Sequence, residues 1–140
     1  MTPTISDQDR LLVYKWGKLS RFKLVYFEEP TSGELSVRRI IGLPGEELYY
    51  ENGSLFVNGS EIPERFLAAS DAIESEDPLT EDFTLQETTE ISRVPEDSYF
   101  VLGDNRSYAT DSRYFGYVKK EQIIGVVNAR IFPIHAMRQF

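Results

Sequence analysis

Short apolar segments recur along the chain, and turn residues separate them. Aromatic and β-branched residues crowd residues 10–15, 22–28, 35–41 and 98–104, and this pattern predicts strands. One or two further strands are expected within 121–132, and the sequence PTSG predicts a turn at 30–33. Because almost no stretch shows helical periodicity, the pattern favours a mainly β fold.

The clearest local signal is the sequence ELYYENGSLFVNG, in which Asn52 and Gly53 separate two apolar runs. A type I′ turn requires a positive φ at both central residues, and an Asn-Gly pair adopts it readily. The sequence therefore predicts a β-hairpin over 47–58. A second Asn-Gly pair, Asn58 and Gly59, predicts the turn by which the chain leaves this hairpin.

Residues 60–97 differ from the rest of the chain in charge and pattern. Between 61 and 97 there are 12 acidic and 2 basic residues, whereas the remainder is close to neutral. Prolines at 63, 78 and 95 interrupt this segment, and one helical turn is expected near 64–70. We interpret 60–97 as a small acidic cap inserted into a β core formed by 1–59 and 98–140. A solvated loop is the alternative.

Composition excludes several classes of function. There is no cysteine, so disulfides and thiolate metal sites are ruled out, and the single His135 cannot form a histidine cluster. A net charge of −8 argues against nucleic-acid binding. No apolar run approaches the roughly 18 residues of a membrane helix, and no signal-peptide pattern opens the chain. Neither a metal nor a cofactor is expected.

Three segments together resemble the type I signal peptidases, the serine–lysine enzymes that release signal peptides. MTPTI at 1–5 is similar to the family's S-M-x-P-T-L box without its first residue. RRIIGLPGE at 38–46 is similar to its K-R-x-x-G-L-P-G-D box, and GDNRSYATDSRYFG at 103–116 to its G-D-N-R-x-x-S-x-D-S-R-Y-W-G box. The order and spacing of the three boxes make the resemblance specific, and it covers most of the chain outside the acidic segment.

The resemblance implies an antiparallel β domain that carries a catalytic-type groove, with a small cap inserted. It also implies an N-terminal membrane helix, absent from this chain, that would anchor the domain at the extracytoplasmic face of the cell membrane. The lack of cysteine in such a domain fits a Gram-positive source.

Position 38 departs from the family, whose lysine acts as a general base and must be neutral. Free lysine titrates near 10.4, so neutrality at pH 7 costs roughly 4 to 5 kcal/mol, most of which burial in an apolar site can remove. Arginine titrates at about 12.5 to 13.8, and a guanidinium effectively never gives up its proton. Arg38, which aligns with the lysine, is therefore expected to donate hydrogen bonds, in an ordinary ion pair or as an anion clamp, and not to act as a base.

Further departures concern the other proton-transfer residues. The family's nucleophilic serine would directly precede Met1 and lies outside this chain. The family's serine that helps to orient the lysine amine is replaced by Ala109, and Ser107 stands two positions earlier, where it would point differently. Ser36 stands where some members have an aromatic residue. Arg38 and Ala109 are vestigial catalytic positions in this interpretation.

Other positions match the family. The resemblance assigns roles in holding the groove together, including an ion pair between Asp111 and Arg113, to Asp104, Asn105, Arg106, Asp111, Ser112 and Arg113. The groove floor is expected to come from a strand at Met1–Ile5 and from the strand that ends at Arg38 and Arg39. Met1 and Ile5 filling the core is the alternative. The candidates for contact with a peptide in the groove are Met1, Pro3, Thr4, Ser36 and Arg38.

A scaffold that is kept while the proton-transfer residues are lost favours a catalytically inactive signal-peptidase-like protein. By resemblance, it would be an accessory or chaperone factor in sortase-dependent pilus assembly, with a pilin subunit, a sortase or an extended peptide as its partner. One alternative is an active type I signal peptidase seen as a truncated or Lys-to-Arg fragment. Another is a regulator or subunit of an active peptidase that docks through the acidic segment.

Overall fold

A computed structural model of the protein describes residues 1–68 and 78–140. The strands of these ranges are, in chain order, β1 (Arg10–Tyr14), β2 (Leu24–Glu28), β3 (Leu35–Gly42), β4 (Leu48–Glu51), β5 (Ser54–Val57), β6 (Ser60–Ile62), β7 (Phe83–Thr84), β8 (Ser98–Leu102), β9 (Val118–Lys119), β10 (Ile123–Phe132) and β11 (Arg138–Gln139). Three short α-helices accompany them in the same ranges: α1 (Arg65–Ala68), α2 (Leu85–Thr89) and α3 (Ser112–Phe115). Two 3₁₀ helices lie at Lys120–Gln122 and Ile134–Ala136.

The strands form two antiparallel sheets. The larger sheet has the order β1-β10-β2-β3-β8-β9, with β11 beside β10, and the smaller sheet has the order β6-β5-β4-β7. Every pairing between described strands is antiparallel. The prediction of a mainly β, antiparallel fold is therefore confirmed.

The core consists of two clusters on opposite faces of the larger sheet. Side chains alternate between the faces of a strand, so Ile40 and Ile41 of β3 enter different clusters. Ile41 packs with Phe100 and Leu102 of β8 against the smaller sheet. Ile40 packs on the other face with a set of apolar residues from β2, β8, α3, β9 and β10: Val25, Phe27, Tyr99, Val101, Phe115, Val118 and Val126.

The predicted hairpin is present, since β4 and β5 pair across Asn52 and Gly53, whose φ angles are 51° and 78°. The second pair, Asn58 and Gly59, has φ angles of 49° and 83° and turns the chain directly into β6, which pairs with β5. Both Asn-Gly pairs therefore adopt the left-handed backbone that the sequence indicates.

The prediction of a strand at Met1–Ile5 is wrong. Residues 1–9 form turns, in which the Ile5 N–H donates to the Met1 carbonyl over 3.1 Å. Arg130 Nη1 donates to the Thr4 carbonyl and to Asp9 Oδ2, at 3.2 and 3.0 Å, so a β10 side chain holds this segment. These contacts fix the backbone of the segment as turns, without the ladder of a strand.

In the acidic segment, α1 lies within residues 64–70, where a helical turn is predicted. The rest of that prediction, from residue 69 onward, and the acidic residues up to 77 lie outside the described residues. The strand β6 pairs with β5, and β7 pairs with β4. The division of the chain into a β core and an inserted cap stays a prediction. No helix of the described residues is long and apolar enough to span a membrane.

Candidate functional site

The three sequence boxes meet in space, and the first lies directly on the third. Thr4 Oγ1 donates to Asp104 Oδ2 over 2.5 Å, and the Asp104 N–H donates to Met1 Sδ over 3.4 Å. Asn105 Nδ2 donates to the exposed Thr2 Oγ1 over 3.3 Å. Residues 1–4 are therefore held against the loop that follows β8.

The second box joins the same loop through a buried ion pair. Arg39 donates to both oxygens of Asp104, at 2.8 Å from Nε and 2.5 Å from Nη2. Its Nη1 donates to the Phe22 carbonyl over 2.8 Å, and its guanidinium lies 4.0 Å from the centre of the Phe66 ring. Asp104 belongs to the third box and binds both Thr4 of the first box and Arg39 of the second, so it connects all three.

Arg38 lies beside this junction and is held by backbone carbonyls. Its Nε donates to the Thr110 carbonyl over 2.9 Å, and its Nη1 to the Val37 carbonyl over 2.7 Å. Its Nη2 lies 4.0 Å from Glu29 Oε1.

Ala109 packs against the backbone next to Arg38. A Cβ built on Gly103 would lie 2.3 Å from Ala109 Cβ and 3.6 Å from Arg38 Cδ. Gly103 is therefore required for this close approach. Ser107 is exposed, and lines a shallow surface pocket with Thr2, Pro3, Leu79, Asp104, Asn105 and Arg106.

Asp111 and Ser112 bind the end of β8. Asp111 is fully buried and accepts from the Gly103 N–H and from Arg113 Nε and Nη2, each at 2.9 Å. Ser112 Oγ accepts from the Val101 N–H over 2.9 Å. Arg113 Nη2 also donates to the Arg106 carbonyl over 2.8 Å, so α3 is bonded to the middle of the loop that follows β8.

Arg106 connects this loop to the smaller sheet. Its guanidinium donates to Glu64 Oε1 over 2.6 Å, and to the Tyr50 and Thr80 hydroxyls over 3.0 Å each. Tyr50 in turn donates to Glu64 over 2.8 Å. Burial raises the pKa of Tyr50 well above its ordinary value. The network is buried, so its charge is satisfied by these partners and not by solvent.

One edge of β3 is open beside the site. β3 pairs with β2 along its whole first half, from Leu35 to Arg39, but β8 pairs with it only from Arg39 onward. No strand of the described residues covers the other edge of Leu35–Arg38. Leu35 is 56% exposed, and the Val37 carbonyl on this stretch binds Arg38. An extended peptide could pair with such an edge.

The structure brings Met1, Thr4 and Arg38 to this junction, and Ser36 lies on the same face of β3 as Arg38. The sequence reasoning missed Glu29, which accepts from Ser36 Oγ over 2.5 Å. Its position near Ser36 depends on the register of the β2–β3 hairpin, in which Phe27 pairs with Ser36, and the sequence pattern does not fix this register to one residue. Among the described residues, no group of histidine or acidic side chains could hold a metal ion.

Comparison with known proteins identifies similar chains. "Signal peptidase I V" of Bacillus subtilis is 39% identical over 132 residues, which cover 91% of this chain and 78% of the relative. "Signal peptidase I" of Bacillus caldolyticus is 42% identical over 137 residues, covering 95% of this chain and 75% of the relative. A crystal structure of a signal peptidase I from Enterococcus faecalis superimposes on this chain with a TM-score of 0.73 and 42% sequence identity. The match covers 79% of this chain and 97% of the solved chain.

These similarities overturn the prediction of a catalytically inactive pilus-assembly factor. The relatives are named signal peptidase I, and they match more than nine-tenths of this chain. The prediction gave two side chains, at positions 38 and 109, more weight than the scaffold around them. That scaffold brings the three boxes together beside the open edge of β3.

The family comparison covers nearly the whole chain. The family described as "Signal peptidase, peptidase S26" matches residues 1–132, so all three boxes and the strands β1 to β10 fall within the match. This chain therefore belongs to the S26 signal peptidase family.

Proposed function

We propose that this chain is the peptidase domain of a type I signal peptidase, which hydrolyses the peptide bond between a signal peptide and an exported protein. The observation that carries the proposal is the meeting of the three boxes at Asp104, beside the open edge of β3. Relatives named signal peptidase I, similar over more than nine-tenths of the chain, support it.

In this proposal the substrate binds as an extended strand along Leu35–Arg38. Backbone hydrogen bonds to a strand edge are independent of sequence, whereas side-chain pockets select residues. The peptide would then pass between β3 and the turns of residues 1–4, which Asp104 and Arg130 hold in place. Its scissile carbonyl would lie near Arg38, whose guanidinium can donate to an oxygen that gains negative charge.

We place the domain at the extracytoplasmic face of the cell membrane. An exposed apolar patch on β1 and the following turn supports this placement: Leu12, Tyr14 and Trp16 are 52%, 49% and 82% exposed. The rings of Tyr14 and Trp16 contact each other edge to face, with centroids 6.1 Å apart. Tyrosine and tryptophan side chains favour the interface between lipid and water.

With arginine at position 38, the proton of the attacking hydroxyl must leave by another route. The family resemblance assigns the attack on the carbonyl to a serine hydroxyl directly before Met1, and that hydroxyl must lose its proton. A guanidinium cannot accept the proton. We therefore assign the proton to water or hydroxide from solvent. Without a positioned base, which contributes typically 10²- to 10⁴-fold, turnover is slow at neutral pH and rises with pH.

The test is cleavage of a signal-peptide substrate by the full-length protein in membranes, measured from pH 7 to pH 10. We expect slow cleavage that increases with pH and stops when alanine directly precedes residue 1. A version with serine before residue 1 and Arg38→Lys provides a second assay of the same groove. If neither protein cleaves the substrate at any pH while both remain folded, the proposal is wrong.

A further inference from the structure

The carboxylate of Glu29 is buried close to Arg38 and has no cation within hydrogen-bond distance among the described residues. Glu29 directly follows β2 and is 8% exposed. Its Oε1 accepts from Ser36 Oγ over 2.5 Å, and its Oε2 from Ser32 Oγ over 2.8 Å. The nearest cation is Arg38, with Nη2 at 4.0 Å from Oε1.

The hairpin register explains this placement. Phe27 pairs with Ser36 and Val25 with Arg38, so Val25, Phe27 and Glu29 alternate onto the face that carries Ser36 and Arg38. The turn that follows β2 is closed by Glu29 itself, whose N–H donates to the Glu34 carbonyl over 2.8 Å. The carboxylate is thus fixed by the backbone as well as by two hydroxyl groups.

The other charged groups near Arg38 do not compete for this role. Asp104, from the loop after β8, already accepts two hydrogen bonds from Arg39 and one from Thr4. Glu29 is therefore the carboxylate that can balance a cation at position 38.

We propose that Glu29 is a positioning residue that orients the cation at position 38 and would keep a lysine amine placed there protonated, so that this groove is built around a cation and not around a neutral amine. The proposal rests on the proposed peptidase function, because it concerns the same groove. It assigns to Arg38 a fixed donor role toward the substrate carbonyl, and it explains why a polar Glu29–Ser36 pair lies beside the guanidinium.

This inference predicts that lysine alone cannot restore a base at position 38. A lysine amine becomes neutral near pH 7 only in apolar surroundings, whereas an opposite charge within about 4 to 6 Å favours its charged form by about 1 to 3 pKa units. With Arg38→Lys alone, Glu29 should hold the new amine protonated. With Arg38→Lys and Glu29→Gln together, the hydroxyl groups keep an acceptor of similar shape, but the negative charge is gone.

The experiment is an NMR titration of the amine introduced by Arg38→Lys, with and without Glu29→Gln, in the full-length protein. We expect a pKa at or above the ordinary lysine value of about 10.4 in the single variant, and a pKa lower by about 1 to 3 units in the double variant. Glu28→Gln is the matched control, because Glu28 is the exposed neighbour on the opposite face of the hairpin, and it should leave the pKa within a few tenths of a unit.

Equal pKa values with and without Glu29→Gln, in proteins that remain folded, would overturn the inference. The titration does not depend on catalysis, so it separates this inference from the proposed function. If the amine responds to Glu29→Gln but no variant cleaves a signal peptide, the inference stands on the geometry and the peptidase proposal fails. Cleavage at pH 7 by the double variant, at least tenfold faster than by the single variant, would support both.

Discussion

Among single residues, Asp104 connects the groove most directly to the stability of the fold. It is 4% exposed and accepts two hydrogen bonds from Arg39, which is itself buried. Removing one partner of a buried ion pair leaves an uncompensated charge, which typically destabilises a protein by about 3 to 5 kcal/mol. The pair therefore constrains both the loop after β8 and the strand β3.

We expect Asp104→Ala to lower the free energy of unfolding by about 3 to 5 kcal/mol, measured by chemical denaturation. The control is Glu47→Ala, which removes the exposed pair between Arg93 and Glu47, with side chains 61% and 56% exposed and 3.6 Å apart. That change should cost less than about 1 kcal/mol. Similar losses in the two variants would show that Asp104 is not held as the structure has it.

A second prediction concerns the contact between Gly103 and Ala109. A Cβ at position 103 would lie 2.3 Å from Ala109 Cβ, which is closer than two carbon atoms can approach without a bond between them. Gly103→Ala should therefore destabilise the fold by about 1 to 3 kcal/mol, as overpacked sites do. Adding Ala109→Gly should restore part of the loss, because it removes the other carbon. If thermal denaturation shows no recovery in the double variant, the contact is not the cause.

At the scale of elements, the strands that carry the core are the ones that the sequence predicts. Aromatic and β-branched runs marked β1, β2, β3, β8 and β10, and Asn52-Gly53 marked the hairpin of β4 and β5. The strands β7, β9 and β11 have two residues each, too few for any periodicity. The helix α2 was missed although its capping box, Thr84 with Glu87, was readable in the sequence.

Only those parts of the candidate site that are formed by continuous sequence motifs could be predicted from the sequence. The three boxes named the residues that meet at Asp104, because each box is a continuous motif. Glu29 and Thr110 contact Arg38 through a hairpin register and a loop conformation, neither of which a local pattern determines. The turns at residues 1–9 depend on Arg130, more than 100 positions away, and so escaped the same reasoning.

The cap of α2 supplies a prediction at this scale. The Thr84 side chain accepts from the Glu87 N–H, and Glu87 Oε2 accepts in return from the Thr84 N–H over 2.8 Å. Thr84→Ala should lower the free energy of unfolding by about 0.5 to 2 kcal/mol. Thr88→Ala is the control, because Thr88 lies within the same helix and its hydroxyl donates to the Thr84 and Leu85 carbonyls, without binding a free N–H of the first turn. Denaturation curves that show the same loss for both variants would contradict the capping role.

Across the whole molecule, the network of Arg106 joins the groove to the smaller sheet. It connects the loop after β8 with Tyr50 of β4, with Glu64 before α1, and with Thr80. The hydroxyl of Tyr50 donates to Glu64 and accepts from Arg106, and the Tyr50 side chain belongs to the core between the sheets. A change in the charge of Tyr50 would therefore disturb both sheets together.

The response of the fold to alkaline pH follows from this network. Burial raises the pKa of Tyr50 well above its ordinary value of 10.0. Below pH 10 the tyrosine is protonated in both the folded and the unfolded chain, so its full contribution to stability is present. Above pH 10 the unfolded chain releases the proton while the folded chain retains it, so stability falls as pH rises, by up to about 1.4 kcal/mol per pH unit for each such proton.

Tyr50→Phe should make this alkaline loss less steep, because one proton no longer distinguishes the two states. The measurement is the free energy of unfolding in denaturant from pH 8 to pH 11.5. Part of the slope should remain, since burial also raises the pKa values of Tyr99 and Tyr117. The control, Tyr108→Phe, changes a side chain that is 86% exposed and should leave the slope unaltered. An unchanged slope in Tyr50→Phe would mean that Tyr50 loses its proton as readily in the folded chain as in the unfolded one, and that the link between the groove and the smaller sheet is open to solvent.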